Sequence, residues 1–382
     1  MPHSTYVAVD TEALGQNLRT VRTRLAERVR LMAVVKANGY GHGLELSART
    51  FAAAGADWLG VSSLAEGIAL REAGLALPVL VFLPVLAADV EELVRHRLTG
   101  TVVSRDEIPV YAQATRRLGQ AADVHIYVDT GLGRLGSDDS LPDILAAAEP
   151  YSAVNVTGVY THFGPPGSGT LLEGIDTLRP GASVKAFASL ANDALSRAGA
   201  GRICIHCAAS ELTLNDPAAH LDMVRVGTLL YGQMPADVGD VGIRLRQTFE
   251  LRSHIVAVQT LPPGSPVGYG GQFVTRRETR VATVPVGLAH GLGQMPESLL
   301  RNWRLVVADF ARRRAARRGR AERGPWAMLG DKRVPIIGRI SMDQCCLDVT
   351  DTDAAVGDCV VLDTRRVSTS AAIPRVATSI EQ

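Results

Sequence analysis

The chain has 382 residues, 46% of them hydrophobic, and its 40 lysines and arginines nearly balance its 39 aspartates and glutamates. A formal net charge of +1 argues against the strong global field that attracts nucleic acid or an anionic membrane surface, so we expect a small-molecule substrate. The length exceeds one ordinary domain and suits a barrel of about 250 residues with a smaller companion.

Cysteine usage and hydropathy predict the compartment. Five cysteines are too few and too irregularly spaced for a disulfide framework, which indicates a reducing environment. Cys204, His206 and Cys207 lie close in sequence, but no second Cys/His pair follows at zinc-site spacing, so we predict no metal site. No apolar run reaches the roughly 18 residues that span a bilayer, and the N-terminal residues lack a signal-like apolar region. We therefore predict a cytoplasmic protein without membrane or nucleic-acid partners.

Strand-like and helix-like segments alternate through the first part of the chain. Residues 10–12 open a helix with apolar positions at Leu14, Leu18 and Val21. Eight strand candidates follow, at residues 31–36, 58–61, 79–82, 100–103, 124–129, 154–162, 203–206 and 223–226. Alanine-rich stretches with helical periodicity lie between them, at residues 63–73, 90–96, 108–118, 141–148 and 184–198. Eight such units predict a (β/α)8 TIM barrel whose active residues lie at the carboxyl ends of parallel strands.

From about residue 250 the pattern changes to short β-prone runs separated by Pro and Gly, at residues 255–261, 280–286, 334–337 and 359–362. This pattern of short β-prone runs predicts an all-β domain. We place the barrel at residues 11–238 and the C-terminal β domain at residues 239–382. Residues 298–326 hold nine arginines, which favours a solvated inserted helix or loop over an RNA-binding tract.

Lys36 ends the first barrel strand at a glycine-rich turn, Val34-Val35-Lys36-Ala37-Asn38-Gly39-Tyr40-Gly41-His42-Gly43. A lysine at the end of an apolar strand either extends to water or has a pKa lowered by desolvation, so that it acts as a nucleophile. The segment resembles the cofactor-lysine motif of alanine racemases, fold-type III enzymes in which this lysine forms a Schiff base with pyridoxal 5'-phosphate. The resemblance runs from about residue 6 to residue 357.

Further barrel motifs carry the resemblance. Val128-Asp-Thr-Gly-Leu-Gly-Arg134-Leu-Gly136 resembles the loop whose arginine binds the substrate carboxylate, for which a guanidinium offers paired donors. Thr161-His162-Phe163 resembles the segment whose histidine orients a tyrosine base. A lone histidine at a strand end is more often structural, so we take His162 as a candidate site residue only together with the other motifs of the resemblance.

The cofactor-binding residues are implied in the same way. His206-Cys-Ala-Ala-Ser210 resembles the segment whose serine holds the cofactor phosphate, and the resemblance also places Tyr40 there. The run from Asp222 to Gly232 resembles the one in which an arginine, here Arg225, faces the pyridine nitrogen, while backbone N–H groups at Gly227 and Thr228 cradle the phosphate.

The β domain supplies the remaining motifs. Pro266-Val-Gly-Tyr269-Gly resembles the segment with the second base. Gly338-Arg-Ile-Ser-Met342-Asp343-Gln344 resembles the motif in which the backbone N–H of methionine meets the carboxylate and the aspartate shapes the site. The resemblance also implies that an N-terminal strand within residues 1–10 packs on the β domain, and that a homodimer shares its active sites.

The sequence departs from the family pattern at several positions. Tyr127 stands where the family often has a carbamylated lysine that steadies the carboxylate-binding arginine, and Ala209 stands where it usually has asparagine. The entrance motif Gly-Tyr-Ala-Asp-Gly appears with Leu288 and His290, and the C-terminal Tyr-Glu segment has no counterpart before Gln382.

The resemblance implies an isomerase that interconverts L- and D-alanine through two bases, Lys36 and Tyr269, for D-alanine biosynthesis. The altered entrance keeps open a racemase or epimerase for a serine-like or larger amino acid. A catalytically impaired homologue that binds pyridoxal phosphate is a further alternative.

Overall fold

The structure is a computed structural model that describes residues 4–163, 180–198, 203–235, 238–239, 241–293, 307 and 325–380. The chain divides into two compact units, Thr11–Gln247 and Met1–Asp10 with Thr248–Gln382. The boundary predicted at residue 238 therefore lies nine residues before the end of the first unit. Strand β1 (Thr5–Val9) belongs to the second unit. The arginine-rich stretch predicted at residues 298–326 lies outside the described residues, apart from positions 307, 325 and 326.

The first unit is an alternation of strands and helices. Its strands are β2 (Arg30–Val34), β3 (Trp58–Val61), β4 (Val79–Val81), β5 (Gly100–Val102), β6 (Ala122–Tyr127), β7 (Val154–Tyr160), β8 (Cys204–His206) and β9 (Met223–Val226). Its helices are α1 (Thr11–Arg22), α2 (Lys36–Tyr40), α3 (Leu44–Ala54), α4 (Leu64–Glu72), α5 (Val90–Arg95), α6 (Ile108–Leu118), α7 (Leu141–Ala148), α8 (Pro180–Arg197) and α9 (Ser210–Asn215).

The eight strands of this unit form a closed parallel barrel. Two parallel sheets have the orders β4-β3-β2-β9 and β5-β6-β7-β8. A parallel bridge between Leu80 and Thr99 joins β4 to β5. The Arg225 N–H donates to the Ala208 carbonyl oxygen at 2.9 Å, which joins β9 to the end of β8. A strand stands at each of the eight predicted positions, and the TIM-barrel prediction is confirmed.

Local sequence explains the barrel elements. Leu31, Ala33 and Val34 of β2 are all buried, as expected for a parallel strand that is covered on both faces. Helix α4 begins with a capping box in which Ser63 and Glu66 exchange side-chain and backbone hydrogen bonds. The apolar strand residues and the helix cap set the bounds of these elements, and so the positions of the residues between them.

The second unit is a curled nine-stranded sheet with the order β11-β14-β17-β16-β15-β18-β10-β1-β19. Strand β1 pairs antiparallel with β10 and parallel with β19. A separate hairpin pairs β12 with β13. The strand bounds are β10 (Phe249–His254), β11 (Ala257–Leu261), β12 (Pro266–Val267), β13 (Phe273–Val274), β14 (Thr279–Val284), β15 (Trp326–Leu329), β16 (Lys332–Ile337), β17 (Cys345–Asp348), β18 (Cys359–Leu362) and β19 (Arg375–Ala377). The predicted C-terminal β domain is confirmed.

Among the described residues, no helix has both the length and the apolar character needed to cross a membrane.

Candidate active site

A cavity of about 420 Å³ opens at the carboxyl ends of the barrel strands. Its lining includes every site residue that the sequence predicts for the barrel: Lys36, Tyr40, Arg134, His162, Ser210, Arg225, Gly227 and Thr228. These residues come from five strand ends, those of β2, β6, β7, β8 and β9, and from the turns that follow them. Closure of the barrel therefore brings together side chains that are up to 192 residues apart in sequence.

Lys36 lies two residues after the last residue of β2, Val34, at the start of a left-handed turn. Ala37, Asn38 and Gly39 have φ values of 54°, 55° and 61°, although only the last is glycine. Such a conformation is costly for residues with a Cβ, so the surrounding structure must hold it. The Asn38 side-chain oxygen accepts from the Leu44 N–H at 2.9 Å, and the Asn38 N–H donates to Glu66 Oε1 at 3.3 Å.

The ammonium of Lys36 is destabilised in this setting. Burial lowers its pKa from the ordinary value, and the positive charges of Arg134 and Arg225 act in the same direction, while Glu66 opposes them. A lysine with a lowered pKa holds more of its neutral amine near neutral pH. Lys36 can therefore act as a nucleophile or a base.

Tyr40, Ser210, Gly227 and Thr228 form one end of the cavity. The Gly227 N–H donates to Ser210 Oγ at 3.2 Å, which leaves the serine hydroxyl hydrogen available as a donor. A Cβ on Gly227 would collide with the Tyr40 hydroxyl. Thr228 begins a 3-10 helix, so its N–H has no acceptor within that helix. Clustered hydroxyls and an open backbone amide suit an anion such as phosphate.

Arg225 is 5% exposed and hydrogen-bonds only to neutral acceptors among the described residues. Its guanidinium donates to His206 Nδ1 at 2.9 Å, to the Thr161 carbonyl oxygen at 2.7 Å and to the Cys207 carbonyl oxygen at 3.0 Å. Its Cζ lies 5.3 Å from the centre of the Tyr160 ring. Burial lowers the pKa of Arg225 from its ordinary value. These contacts fix a cation in the lining of the cavity.

The contacts of Arg225 fix the tautomers of two buried histidines. Because Arg225 donates to His206 Nδ1, His206 carries its proton on Nε2 and donates it to His125 Nδ1 at 3.0 Å. Burial, reinforced by nearby arginines, lowers the pKa of His125 to about 3 and that of His206 well below the ordinary value. Both imidazoles are therefore neutral at physiological pH.

His162 and Arg134 stand at neighbouring strand ends. Burial, together with the charges of Arg225 and Arg134, lowers the pKa of His162 to about 3, so this imidazole is also neutral near pH 7. Arg134 lies on the loop between β6 and α7 and is exposed. Tyr127, at the end of β6, keeps its hydroxyl buried without a hydrogen bond to any described residue.

The residues predicted in the β domain lie on three turns of the second unit. Tyr269 begins the turn between β12 and β13, Leu288 and His290 follow β14, and Met342 and Asp343 lie between β16 and β17. The Leu288 and Ala289 N–H groups donate to the carbonyl oxygens of Ser341 and Met342. A Cβ on Gly338 would meet the Val267 carbonyl oxygen at 2.7 Å. The three turns therefore form one cluster, which we call the turn cluster (residues 266–271, 287–291 and 338–344).

Several residues on or next to the cavity wall were not singled out as site residues from the sequence. The Tyr160 ring stacks on His206 with centroids 4.9 Å apart, and the Thr130 and Thr161 hydroxyls are hydrogen-bonded at 2.8 Å. Each of these residues lies within four residues of a predicted site residue, next to a predicted strand end. This closeness in sequence is the signal that could have identified them.

The sequence predicted no metal site from Cys204, His206 and Cys207. His206 and Cys207 instead contribute to the contacts of Arg225, His206 through its ring and Cys207 through its carbonyl oxygen. Across the part of the chain that the structure describes, no group of three or more His, Cys, Asp or Glu residues is arranged to hold a metal ion.

Two family models cover most of the chain. Residues 9–235 match the model of the alanine racemase N-terminal domain, and residues 248–382 match that of the alanine racemase C-terminal domain. The chain belongs to the alanine racemase family. A relative named alanine racemase from Desulfovibrio desulfuricans is 33% identical over 365 residues, which cover 94% of this chain and 88% of the relative.

Solved structures of family members have the same architecture. Alanine racemase from Clostridium difficile 630 superposes with a TM-score of 0.81 at 25% identity, covering 98% of this chain and 89% of that one. The alanine racemase from D-cycloserine-producing Streptomyces lavendulae has a TM-score of 0.78 at 28% identity, covering 100% of this chain and 98% of that one. The family resemblance drawn from the sequence motifs is confirmed.

Proposed function

We propose that this protein is a pyridoxal-phosphate-dependent racemase that interconverts L- and D-alanine by a two-base mechanism. The observation that carries the proposal is a single cavity that combines the Lys36 amine, the Ser210 and Gly227 anion cradle and the buried Arg225. Membership of the alanine racemase family supports it. These groups would bind an amino acid and remove and return its α-proton, which is the chemistry of racemisation.

The donor set fits pyridoxal 5'-phosphate. Tyr40, Ser210, Gly227 and Thr228 would hold the phosphate, Lys36 would form the covalent link, and Arg225 would face the pyridine nitrogen. When bound, the cofactor supplies an electron sink that acidifies the hydrogen on the substrate α-carbon. Because a guanidinium does not give up its proton, Arg225 would leave this ring nitrogen unprotonated, which would favour proton transfer over side reactions.

Inversion at the α-carbon requires a proton to leave one face and return to the other. A single rigid lysine reaches both faces poorly, so two bases are the simpler arrangement. Lys36 would serve the D-enantiomer and Tyr269 the L-enantiomer, with His162 orienting the phenol and Asp343 shaping the site. Arg134 and the Met342 N–H would fix the carboxylate and with it the orientation of the reacting C–H bond.

Exposure within the turn cluster supports a homodimer with shared sites. Tyr269 is 72% exposed, Met342 is 67% exposed and Leu288 is 41% exposed. Three large exposed side chains on neighbouring turns suit a surface covered by a partner. In the proposed dimer Tyr269 and Met342 of one protomer serve with Lys36 of the partner subunit. Mixing inactive Lys36→Ala with inactive Tyr269→Phe should restore activity in hybrid dimers, and no recovery after demonstrated subunit exchange would reject sharing.

The function is tested by racemisation of a panel of L-amino acids and by α-proton exchange in deuterated solvent. Alanine should give the highest kcat/KM, whereas a preference for serine or a larger amino acid would support the alternative substrate class. Bound cofactor without turnover of any substrate would indicate a catalytically impaired homologue.

In Tyr269→Phe, D-alanine should still exchange its α-proton while exchange from L-alanine falls by about 10² to 10⁴. Equal exchange from both enantiomers would point to a single mobile base.

The cellular role follows from the product. We propose a cytoplasmic enzyme of D-alanine biosynthesis, in keeping with the cysteine usage of the chain. Deleting the gene from a host without another racemase should create a requirement for D-alanine. Unchanged growth without D-alanine would reject this role.

A further inference from the structure

Arg134 receives no direct support from neighbouring side chains. Its guanidinium forms no hydrogen bond or ion pair with any residue that the structure describes. Tyr127 cannot supply a balancing charge, because burial raises the pKa of its phenol to about 12 and keeps it neutral. The Tyr127 hydroxyl also bonds to no described residue. The position of Arg134 must therefore come from the backbone of its own loop.

Asp129 organises that backbone. Its Oδ1 accepts hydrogen bonds from the N–H groups of Gly131 at 3.1 Å and Leu132 at 3.0 Å, and its Oδ2 accepts from Gly133 at 3.0 Å. Gly136 has a φ of +136°, and a Cβ there would lie 3.0 Å from the Asp129 Cβ, so the loop folds back against this carboxylate. One side chain thus fixes three consecutive amides that end one residue before Arg134.

Thr130 attaches the same loop to the barrel. Its buried hydroxyl is hydrogen-bonded to the buried Thr161 hydroxyl at 2.8 Å, next to His162. The Thr161 carbonyl oxygen accepts from Arg225 at 2.7 Å. The loop that carries Arg134 is therefore tied to the strand end that also holds Arg225.

We propose that Asp129 and Thr130 are positioning residues that hold Arg134 ready for the substrate carboxylate, in place of a side chain that contacts its guanidinium. The inference rests on the proposed function of Arg134. A loop ordered before binding loses less freedom when it captures a carboxylate, so binding is stronger. Loosening the loop should weaken substrate binding while the cofactor contacts of Ser210 and Gly227 stay intact.

The test uses the enzyme with its cofactor bound and two measurements. One is the split of KM and kcat for L-alanine, and the other is inhibition by propionate, which has the carboxylate but no amine. Asp129→Asn keeps the size of the side chain but removes its charge and one acceptor. It should raise KM and the propionate inhibition constant roughly 10-fold, with kcat and the visible spectrum nearly unchanged. Thr130→Val should act in the same direction, while Thr130→Ser should keep wild-type values.

Asp143→Asn is the matched control, because Asp143 caps α7 through its hydrogen bonds with Ser140 and forms no hydrogen bond or ion pair with residues 129–134 in the described structure. It should leave KM unchanged. Asp129→Asn should also have little further effect in an Arg134→Ala background, since the loop then has no guanidinium to position.

The two proposals fail in different ways. If Arg134→Ala leaves KM and propionate inhibition unchanged, the carboxylate role of Arg134 is wrong. If Arg134→Ala raises both but Asp129→Asn and Thr130→Val do not, only the positioning role is overturned. Should Asp129→Asn not fold, the comparison of Thr130→Val with Thr130→Ser decides, and equal KM values for that pair reject the inference.

Discussion

Arg225 is a buried cation with only neutral acceptors among the described residues. Burying a charge costs free energy unless hydrogen bonds replace its hydration, and here two carbonyl oxygens and an imidazole nitrogen provide them. The neutral state of His206 is part of this arrangement, because a protonated ring would have no lone pair for the guanidinium. A cation kept at such cost in a cavity indicates a functional site.

Gly227 is a second residue whose identity the geometry explains. Its φ of −118° is accessible to any residue, but a Cβ would collide with the Tyr40 hydroxyl in the anion cradle. Gly227→Ala should therefore weaken pyridoxal phosphate binding by about 10-fold or more, as measured by titration of the cofactor into apoprotein. Gly239→Ala, where a Cβ meets nothing within 4 Å, is the control. Equal cofactor affinity in the two variants would place the phosphate elsewhere.

Motif matching predicted the side chains that point into the cavity but not those that hold them. Lys36, Arg134 and Arg225 lie in long recognisable segments, so their positions could be carried over from the sequence. The contact between His125 and His206 depends on strands β6 and β8, 81 residues apart, and sequence periodicity does not give cross-strand partners.

At the scale of elements, the turn cluster of the second unit joins the altered entrance motif to the Met342 turn. Gly287 makes this possible, because a Cβ there would lie 2.6 Å from the Asp343 backbone nitrogen. The His290 ring nitrogen Nδ1 accepts from the Gly287 N–H at 3.0 Å, which shapes the turn. An aspartate could accept the same hydrogen bond, so His290→Asp should preserve the turn.

Leu288 and His290 are expected to alter substrate choice. A leucine in place of tyrosine opens space, and a histidine in place of aspartate removes a negative charge. Leu288→Tyr with His290→Asp should raise the ratio of kcat/KM for alanine over serine and larger amino acids. Val356→Tyr, at a similarly exposed position of the same unit, should leave the ratio unchanged. An unchanged ratio in the double variant would place these residues outside the entrance.

Elements were predicted where hydrophobicity alone decides the structure. Barrel strands such as β3 (Trp-Leu-Gly-Val) and β4 (Val-Leu-Val) are nearly continuous apolar runs. Strand β10 reads Phe-Glu-Leu-Arg-Ser-His, with its buried positions separated by polar ones, and was missed. The left-handed turn after Lys36 was not predicted either. Ala37 and Asn38 have positive φ, and the tertiary hydrogen bond from Asn38 to Glu66 that helps to hold this turn cannot be read from local propensity.

At the scale of the whole molecule, the buried neutral histidines predict sensitivity of the barrel to acid. In the unfolded chain an imidazole titrates near 6.5, whereas burial lowers the pKa of His125 and His162 to about 3. Between these pH values the unfolded state binds more protons than the folded state. The contribution of these histidines to the free energy of unfolding is therefore fully present above about pH 6.5 and is lost as the pH falls. Each group contributes about 1.4 kcal/mol per pH unit to this loss.

Denaturant unfolding between pH 7 and pH 5 measures this effect. His125→Asn keeps an acceptor for His206 but does not titrate, so its stability should depend less steeply on pH, by about one proton. The variant can be less stable overall without affecting this comparison of slopes. The same slope in wild type and variant would show that His125 is already protonated in the folded protein.

The central claim is that Lys36 carries the cofactor, and covalent mapping tests it most directly. The chain has only three lysines, Lys36, Lys185 and Lys332, so the assignment by peptide mass is unambiguous. The protein with bound pyridoxal phosphate should be yellow, and borohydride reduction should leave a single adduct on Lys36 that is absent from Lys36→Ala. An adduct on Lys185 or Lys332, or no adduct at all, would contradict the assignment of the site.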